Sequence, residues 1–218
     1  PRFYVASAYV NIVDLRSAEH NLDIIAGNLE QLSDFERQWY TVLRGLQTGQ
    51  YLPALQAAME MQRLAPGAPG AVIYSGALSY FLNKNRQAVE FLSQLSADSL
   101  PKEMPASHWW MLILGRSYHM LGEYGKQLEV AVTGLQVFPD RMGLYGAKVS
   151  ALAALGDQGE LDRTLDEVVL MSAKPGTGNA GYVLQLAAME LRAHVRLDAA
   201  IETSNRAVLW YAERPREV

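Results

Sequence analysis

Cysteine is absent from the 218 residues. That removes disulfides and thiolate metal ligands and leaves the compartment open, because a chain without cysteine suits reducing and oxidising surroundings alike. No apolar run approaches the roughly 20 residues a membrane-spanning helix needs, so no membrane insertion is expected from this segment. Its amino-terminal stretch lacks the features of a secretory signal. Neither sign of charge dominates: 19 basic and 23 acidic residues give a net charge of −4. The basic residues are scattered, which argues against nucleic acid and anionic membrane surfaces as partners. The histidines, His20, His108, His119 and His194, are too dispersed to form a motif such as H-E-x-x-H, and no metal and no cofactor is expected. Missing too are the nucleophile elbow, the phosphate loop and the dinucleotide fingerprint. The glycine-rich run at 176–178 lacks the preceding strand a phosphate loop requires and reads as a connector. Asp157, Glu160, Asp162, Asp166 and Glu167 read as a solvated helix face, with favourable charges near its amino end, and not as a calcium loop or a catalytic pair. No reaction is predicted.

What is abundant is apolar surface, half of all residues, arranged in helical periods. The run from His108 to Asp140 shows the plan. Leu114, Tyr118 and Leu121 make the stripe of a first helix, with Gly115 beside Leu114 leaving room for a neighbour. Gly122 stops that helix, since glycine takes the left-handed conformation without steric cost. Tyr124, Leu128, Ala131, Leu135 and Phe138 line a second helix, and Pro139 ends it.

The same arrangement recurs along the chain. Val5, Tyr9 and Ile12 precede Leu15, Ala18, Leu22, Ile25 and Leu29 in a first pair, clipped at its front. Ser33 and Glu36 form a capping box ahead of Trp39, Val42 and Leu46, a stop at Gly49, a second helix to Leu64, and Pro66. Val72, Gly76 and Tyr80 lead to a turn at Asn83, after which Asn85 is expected to cap the next helix. Gly156 is followed by a cap-like pair in Asp157 and Glu160. Tyr182 and Leu191 open a final pair that ends near Tyr211. Residues 100–105 and 172–179 interrupt the rhythm as loops. The turn residues Gly49, Asn83, Gly122 and Gly156 are 34, 39 and 34 residues apart. The count is six hairpins and twelve helices.

A 34-residue unit with small residues at its eighth position (Gly76, Gly115, Ala188), glycine at the fifteenth, alanine at the twentieth (Ala54, Ala88, Ala200) and proline at the thirty-second (Pro66, Pro139) resembles the tetratricopeptide repeat. Short runs such as L-G-E-Y-G-K-Q-L-E are also similar to repeat regions attached to bacterial signalling and regulatory proteins. The resemblance implies an all-α, right-handed α-solenoid over 1–218 as a single domain, and a concave wall built from the first helix of each hairpin. Carried over position by position, that wall holds Trp39 and Leu43, then Tyr80 and Phe81, then Trp109, Leu112, Arg116 and His119, and then Tyr182 and Arg192. Its expected task is to bind a peptide or protein segment, with the aromatic residues as an apolar trough and Arg116 as an anchor for a carboxylate. Lys and Asn at the fifth and ninth positions, which members that clamp a chaperone's terminal carboxylate carry, are missing, so that ligand is disfavoured.

Two other classes compete. A homo-oligomerisation module would bury the aromatic surface against its own copy. An α/α-barrel enzyme or small-molecule binder would gather carboxylates or histidines at its middle and needs longer hairpins than a 34-residue period provides. The chain opens at Pro1 inside a helical pattern, as a piece of a longer protein would. The cytoplasm is the favoured compartment, with an extracytoplasmic one if an upstream anchor exists.

Overall fold

A computed structural model describes residues 2–11, 14–96, 108–171 and 179–214. These residues form twelve α-helices and no strand: α1 (Arg2–Asn11), α2 (Leu15–Ala26), α3 (Asp34–Thr48), α4 (Tyr51–Leu64), α5 (Pro69–Phe81), α6 (Asn85–Leu92), α7 (Trp109–Met120), α8 (Tyr124–Val137), α9 (Met142–Leu155), α10 (Gln158–Leu170), α11 (Ala180–Ala193) and α12 (Leu197–Ala212). A single 3₁₀ turn, Leu29–Gln31, lies between α2 and α3. The chain divides into two compact units, 1–113 and 114–218.

Local chemistry sets the helix boundaries. Ser33 Oγ accepts the Glu36 amide and Glu36 Oε2 accepts the Ser33 amide, closing the capping box that starts α3. Asp157 accepts the Glu160 amide at the head of α10. Gly49, Gly122 and Gly156 have φ of 78°, 74° and 84°, and Asn83 has 57°, so α3, α5, α7 and α9 each end on a left-handed residue. α4 and α8 stop just ahead of Pro66 and Pro139. Asp14 and Asn179 cap α2 and α11, a role the sequence pattern did not assign them.

Two expectations are corrected, and a third falls almost wholly outside the described residues. Asn85 does not cap α6: it is the first helical residue, and its side-chain amide donates to Asn83 Oδ1 instead. The room that Gly115 leaves for a neighbour is not taken up, because a Cβ there would lie 3.9 Å from Gln127 Cγ, an ordinary contact distance. Both interrupting loops fall on residues outside those described, apart from Asn179. The turn of the sixth hairpin, which the sequence left unmarked, is made by Val195 at φ 61°, 39 residues after Gly156.

A common register runs through the hairpins. The eighth position, Ala6, Val42, Gly76, Gly115, Val149 and Ala188, is buried in all six first helices. In the second helices the twentieth, Ala18, Ala54, Ala88, Gln127, Leu161 and Ala200, is buried likewise. Small residues there let paired helices close together.

In the first unit α1 pairs with α2, α3 with α4 and α5 with α6, while α2 meets α3, α4 meets α5 and α1 meets α3. Two cores fill these contacts. Phe3, Ala6, Leu22, Ile25 and Leu43 make one, and Val42, Ala54, Leu55, Ala57, Ala58, Met61, Ala71 and Leu78 the other. Trp39 packs against both. In the second unit α8 meets α9, α9 meets α10 and α11, and α11 pairs with α12. Its core is aliphatic, with Val149, Leu152, Leu161, Leu165, Val183, Leu184 and Leu191 almost wholly enclosed. Each such side chain contributes roughly 1.5–3 kcal/mol by leaving water.

Candidate interaction wall

Trp39 is half-buried among other rings. Phe3 stacks on it at 5.0 Å, Tyr4 and Phe35 meet it edge-on at 5.2 and 6.5 Å, and its indole N–H donates to the Tyr74 hydroxyl at 3.4 Å. That hydroxyl also bonds Ser7 Oγ at 2.9 Å. Burial pushes the Tyr74 phenol up in pKa, against the opposing pull of its bonds to Ser7 and Trp39. Leu43 is completely buried. Both residues were expected on the wall: Leu43 is instead core, in one cluster with Phe3 of the opening hairpin, whereas Trp39 is half-buried, as Tyr80 and Trp109 are.

Farther along the first unit the rings stay near the surface. Phe81 is 39% exposed, with Tyr51 at 5.3 Å, Tyr80 at 5.8 Å and Trp109 at 6.4 Å. Tyr80, Trp109 and Leu112 are half-buried, whereas Trp110 is the enclosed indole of its pair. Tyr51 was not among the expected residues. It stands two places after the turn glycine Gly49, as Tyr124 stands after Gly122, and this repeated spacing was the available signal.

Tyr124 opens the corresponding group in the second unit. Its ring meets His119 at 5.3 Å and His194 at 5.4 Å. The Gln127 amide donates to the Ala147 carbonyl at 2.9 Å, which turns its own oxygen toward His119 Nδ1, also at 2.9 Å. Nδ1 is therefore the donor in that bond. The other edge of His119 lies 3.5 Å from Glu190, and His194 bonds the same carboxylate at 3.0 Å. His119 thus braces α7 against α8 and α11. His119, expected on the wall, is half-buried there with both ring nitrogens facing partners.

Arg116, Tyr182 and Arg192 remain open to solvent, as does Met189 between the last two in sequence. Among the described residues neither the Arg116 nor the Arg192 side chain has a hydrogen bond or ion pair. Two further ionic contacts shape the unit without joining this set. Lys148 bonds Glu160 at 2.9 Å and holds that carboxyl below its ordinary pKa. Tyr145 donates to Glu167 at 2.6 Å, and burial first, then that carboxylate, pushes its phenol well up. In the first unit a hollow of about 340 Å³ opens among Arg2, Phe3, Ile24, Ile25, Asn28, Leu32 and Glu36. Among the described residues no three His, Asp or Glu side chains are placed to hold a metal ion. No described helix is long and apolar enough to cross a membrane.

No protein-family model matches this chain, and no curated protein matches its sequence. Solved structures do match in shape. "MamA 41-end from Desulfovibrio magneticus RS-1" aligns with 84% of this chain and 98% of its own, at a TM-score of 0.63 and 14% identity. The fold is that of TPR-like repeat proteins. The TPR-like repeats of a putative kinesin light chain of Podosopora anserina align over 84% of this chain and 97% of theirs, at a TM-score of 0.61 and 18% identity. A thermophilic TPR protein of Thermus thermophilus aligns over 81% and 91%, at 0.55 and 16%. Identities this low speak to fold alone, and the TPR-like fold leaves function to be argued from the exposed side chains.

Proposed function

We infer that this chain is a non-catalytic interaction scaffold whose first helices present two kinds of contact to peptide or protein segments. The observation that carries the reading is the ring group centred on Phe81, which is open to water and has Tyr80 and Trp109 of the first helices and Tyr51 at the start of α4 each 5.3 to 6.4 Å from it. Rigid aromatic side chains lose little freedom when a partner docks, and they contribute disproportionately to binding. In the second unit Arg116 and Arg192 offer guanidinium forks to carboxylates, and Tyr182 and Met189, on the same helix as Arg192, add exposed apolar surface. Such a part would serve a regulatory protein as its sensor or interaction segment.

A peptide array tests this directly. Wild type is compared with Phe81→Ala combined with Trp109→Ala, and with Arg116→Ala combined with Arg192→Ala. Apolar peptides are expected to lose about tenfold or more in affinity for the first variant, and acidic peptides a similar factor for the second. Equal binding by all three proteins contradicts the reading.

A further inference from the structure

We propose that His119 and Glu190 form a proton-operated clasp: a second proton on His119 draws the turn end of α7 to the turn end of α11 and sets the curvature of the second unit. Arg44 with Asp23 and Arg206 with Asp166 join neighbouring hairpins. His119 belongs to the fourth hairpin and Glu190 to the sixth, so their contact skips one. Curvature in a stacked array follows from the rotation between successive repeats, and a link across three hairpins holds two such rotations at once.

The hydrogen bonds fix which nitrogen carries a proton. The Ala147 carbonyl can only accept, so the Gln127 amide nitrogen faces it, and Gln127 Oε1 is left to receive the His119 Nδ1–H at 2.9 Å. A neutral imidazole has one such hydrogen. With it on Nδ1, Nε2 presents a lone pair to Glu190 Oε2 at 3.5 Å, and two acceptors meet. His194 already serves the other oxygen. An ionised carboxylate only accepts, so His194 Nε2 donates to Oε1 at 3.0 Å, and the neutral ring suffices for that. The bond that neutral histidines leave unmade is therefore His119 Nε2–H to Oε2. A proton from solvent makes it, turning a repulsion into a charge-assisted hydrogen bond.

The surroundings suit this step. The His119 and Glu190 side chains are 26% and 16% exposed, within reach of water and yet withdrawn from it. Facing the His119 ring are Tyr124 and Gln127 from α8 and Glu190 from α11, with His194 against the same tyrosine. Nearby cations are engaged elsewhere or exposed: Lys126 pairs with Glu123, Lys148 with Glu160, the Arg196 side chain bonds the Ala153 carbonyl, and Arg116 and Arg192 stand in solvent. Protonating His194 adds charge at one end of α11 but no bond between helices. The clasp is present where histidine is charged, below about pH 6.5, and is lost as pH rises through the range in which imidazole gives its proton up.

Arg116 lies one turn before His119 and Arg192 two residues after Glu190, so the clasp also sets where those side chains sit. It needs no ligand, and its failure would leave the peptide-binding reading untouched.

The absence of cysteine allows the test to use a pair of spin labels. Met120→Cys on α7 and Gln185→Cys on α11 place them at exposed positions, and double electron–electron resonance reads their separation at about pH 5.5 and about pH 8, on either side of the histidine range. The separation should be shorter and narrower at the lower pH and lengthen by roughly 1–2 Å, the size of a helix shift, at the higher. His119→Gln and Glu190→Gln should each give one separation at both pH values, while His194→Gln keeps the change. Circular dichroism checks that every variant keeps its helices at both, and His119→Asn replaces His119→Gln if that variant does not. A separation that pH leaves unchanged in the labelled parent overturns the proposal. So does a change that His194→Gln abolishes and His119→Gln preserves, which would put the proton on His194, or one that survives Glu190→Gln, which would place its source outside the clasp.

Discussion

The third hairpin, in the first unit, and the fourth, whose glycine and second helix lie in the other, carry glycine at the same repeat position but close around it differently. A Cβ on Gly76 would sit 2.3 Å from Leu92 Cγ, whereas one on Gly115 would find nothing nearer than 3.9 Å. The first unit presses helices together on small residues and locks them with rings, Phe3 on Trp39 and Trp39 against Tyr74. The second fills its interior with leucine, valine and alanine and adds polar braces at its margin, among them His119 and His194 on Glu190. One hairpin plan therefore tolerates two ways of filling its interior, because the period fixes only where small and apolar residues must fall.

Substitutions can break or sharpen that contrast. Trp39→Ala, which removes the ring shared by both cores of the first unit, should cost about 3–5 kcal/mol in denaturant unfolding. His119→Ala, which removes a brace in the second, should cost only about 1 kcal/mol. A larger loss from the histidine would reverse the contrast. Val195→Gly should stabilise by about 1 kcal/mol, since a β-branched residue is strained at a φ of 61° where the other described turns use glycine or asparagine. An unchanged midpoint would show that the turn carries no strain. Tyr74→Phe, leaving the ring in place but deleting the hydroxyl that Ser7 and Trp39 bond, should also cost about 1 kcal/mol.

The smallest effect concerns acid. Glu160 is held below the ordinary glutamate value of 4.5 chiefly by its bond to Lys148. A carboxylate depressed on folding stabilises the protein above its unfolded pKa, and this is lost as pH falls through the folded value. Lys148→Met should therefore flatten part of the decline in melting temperature on the acid side of 4.5 and leave the slope near neutrality unchanged. An identical acid limb in both proteins would contradict this role for the pair.

Much of the fold could be read from the residues. Turn glycines, the Ser33 box and the prolines after α4 and α8 are local signals, decided by backbone conformation and missing amide donors. Val195 was invisible because nothing in a valine announces a left-handed turn. The wall was legible only in part, for a different reason. Helical spacing assigns Trp39 and Leu43 to a face, but whether that face is covered depends on Phe3, more than thirty residues away. For His119 the deciding partners, Gln127 and Glu190, come from two other helices. Trp109 and Trp110 were separable because the repeat register, once set by Gly115 and Gly122, leaves one of two adjacent indoles inside.

The paired glycines give the most direct measurement. Urea unfolding of Gly76→Ala and Gly115→Ala, each followed by circular dichroism, places the same methyl group at the same repeat position in the two units. Gly76→Ala should lose about 1–3 kcal/mol through overpacking against Leu92, while Gly115→Ala should be neutral or gain up to about 1 kcal/mol from helix propensity. Equal losses at the two positions would contradict the account.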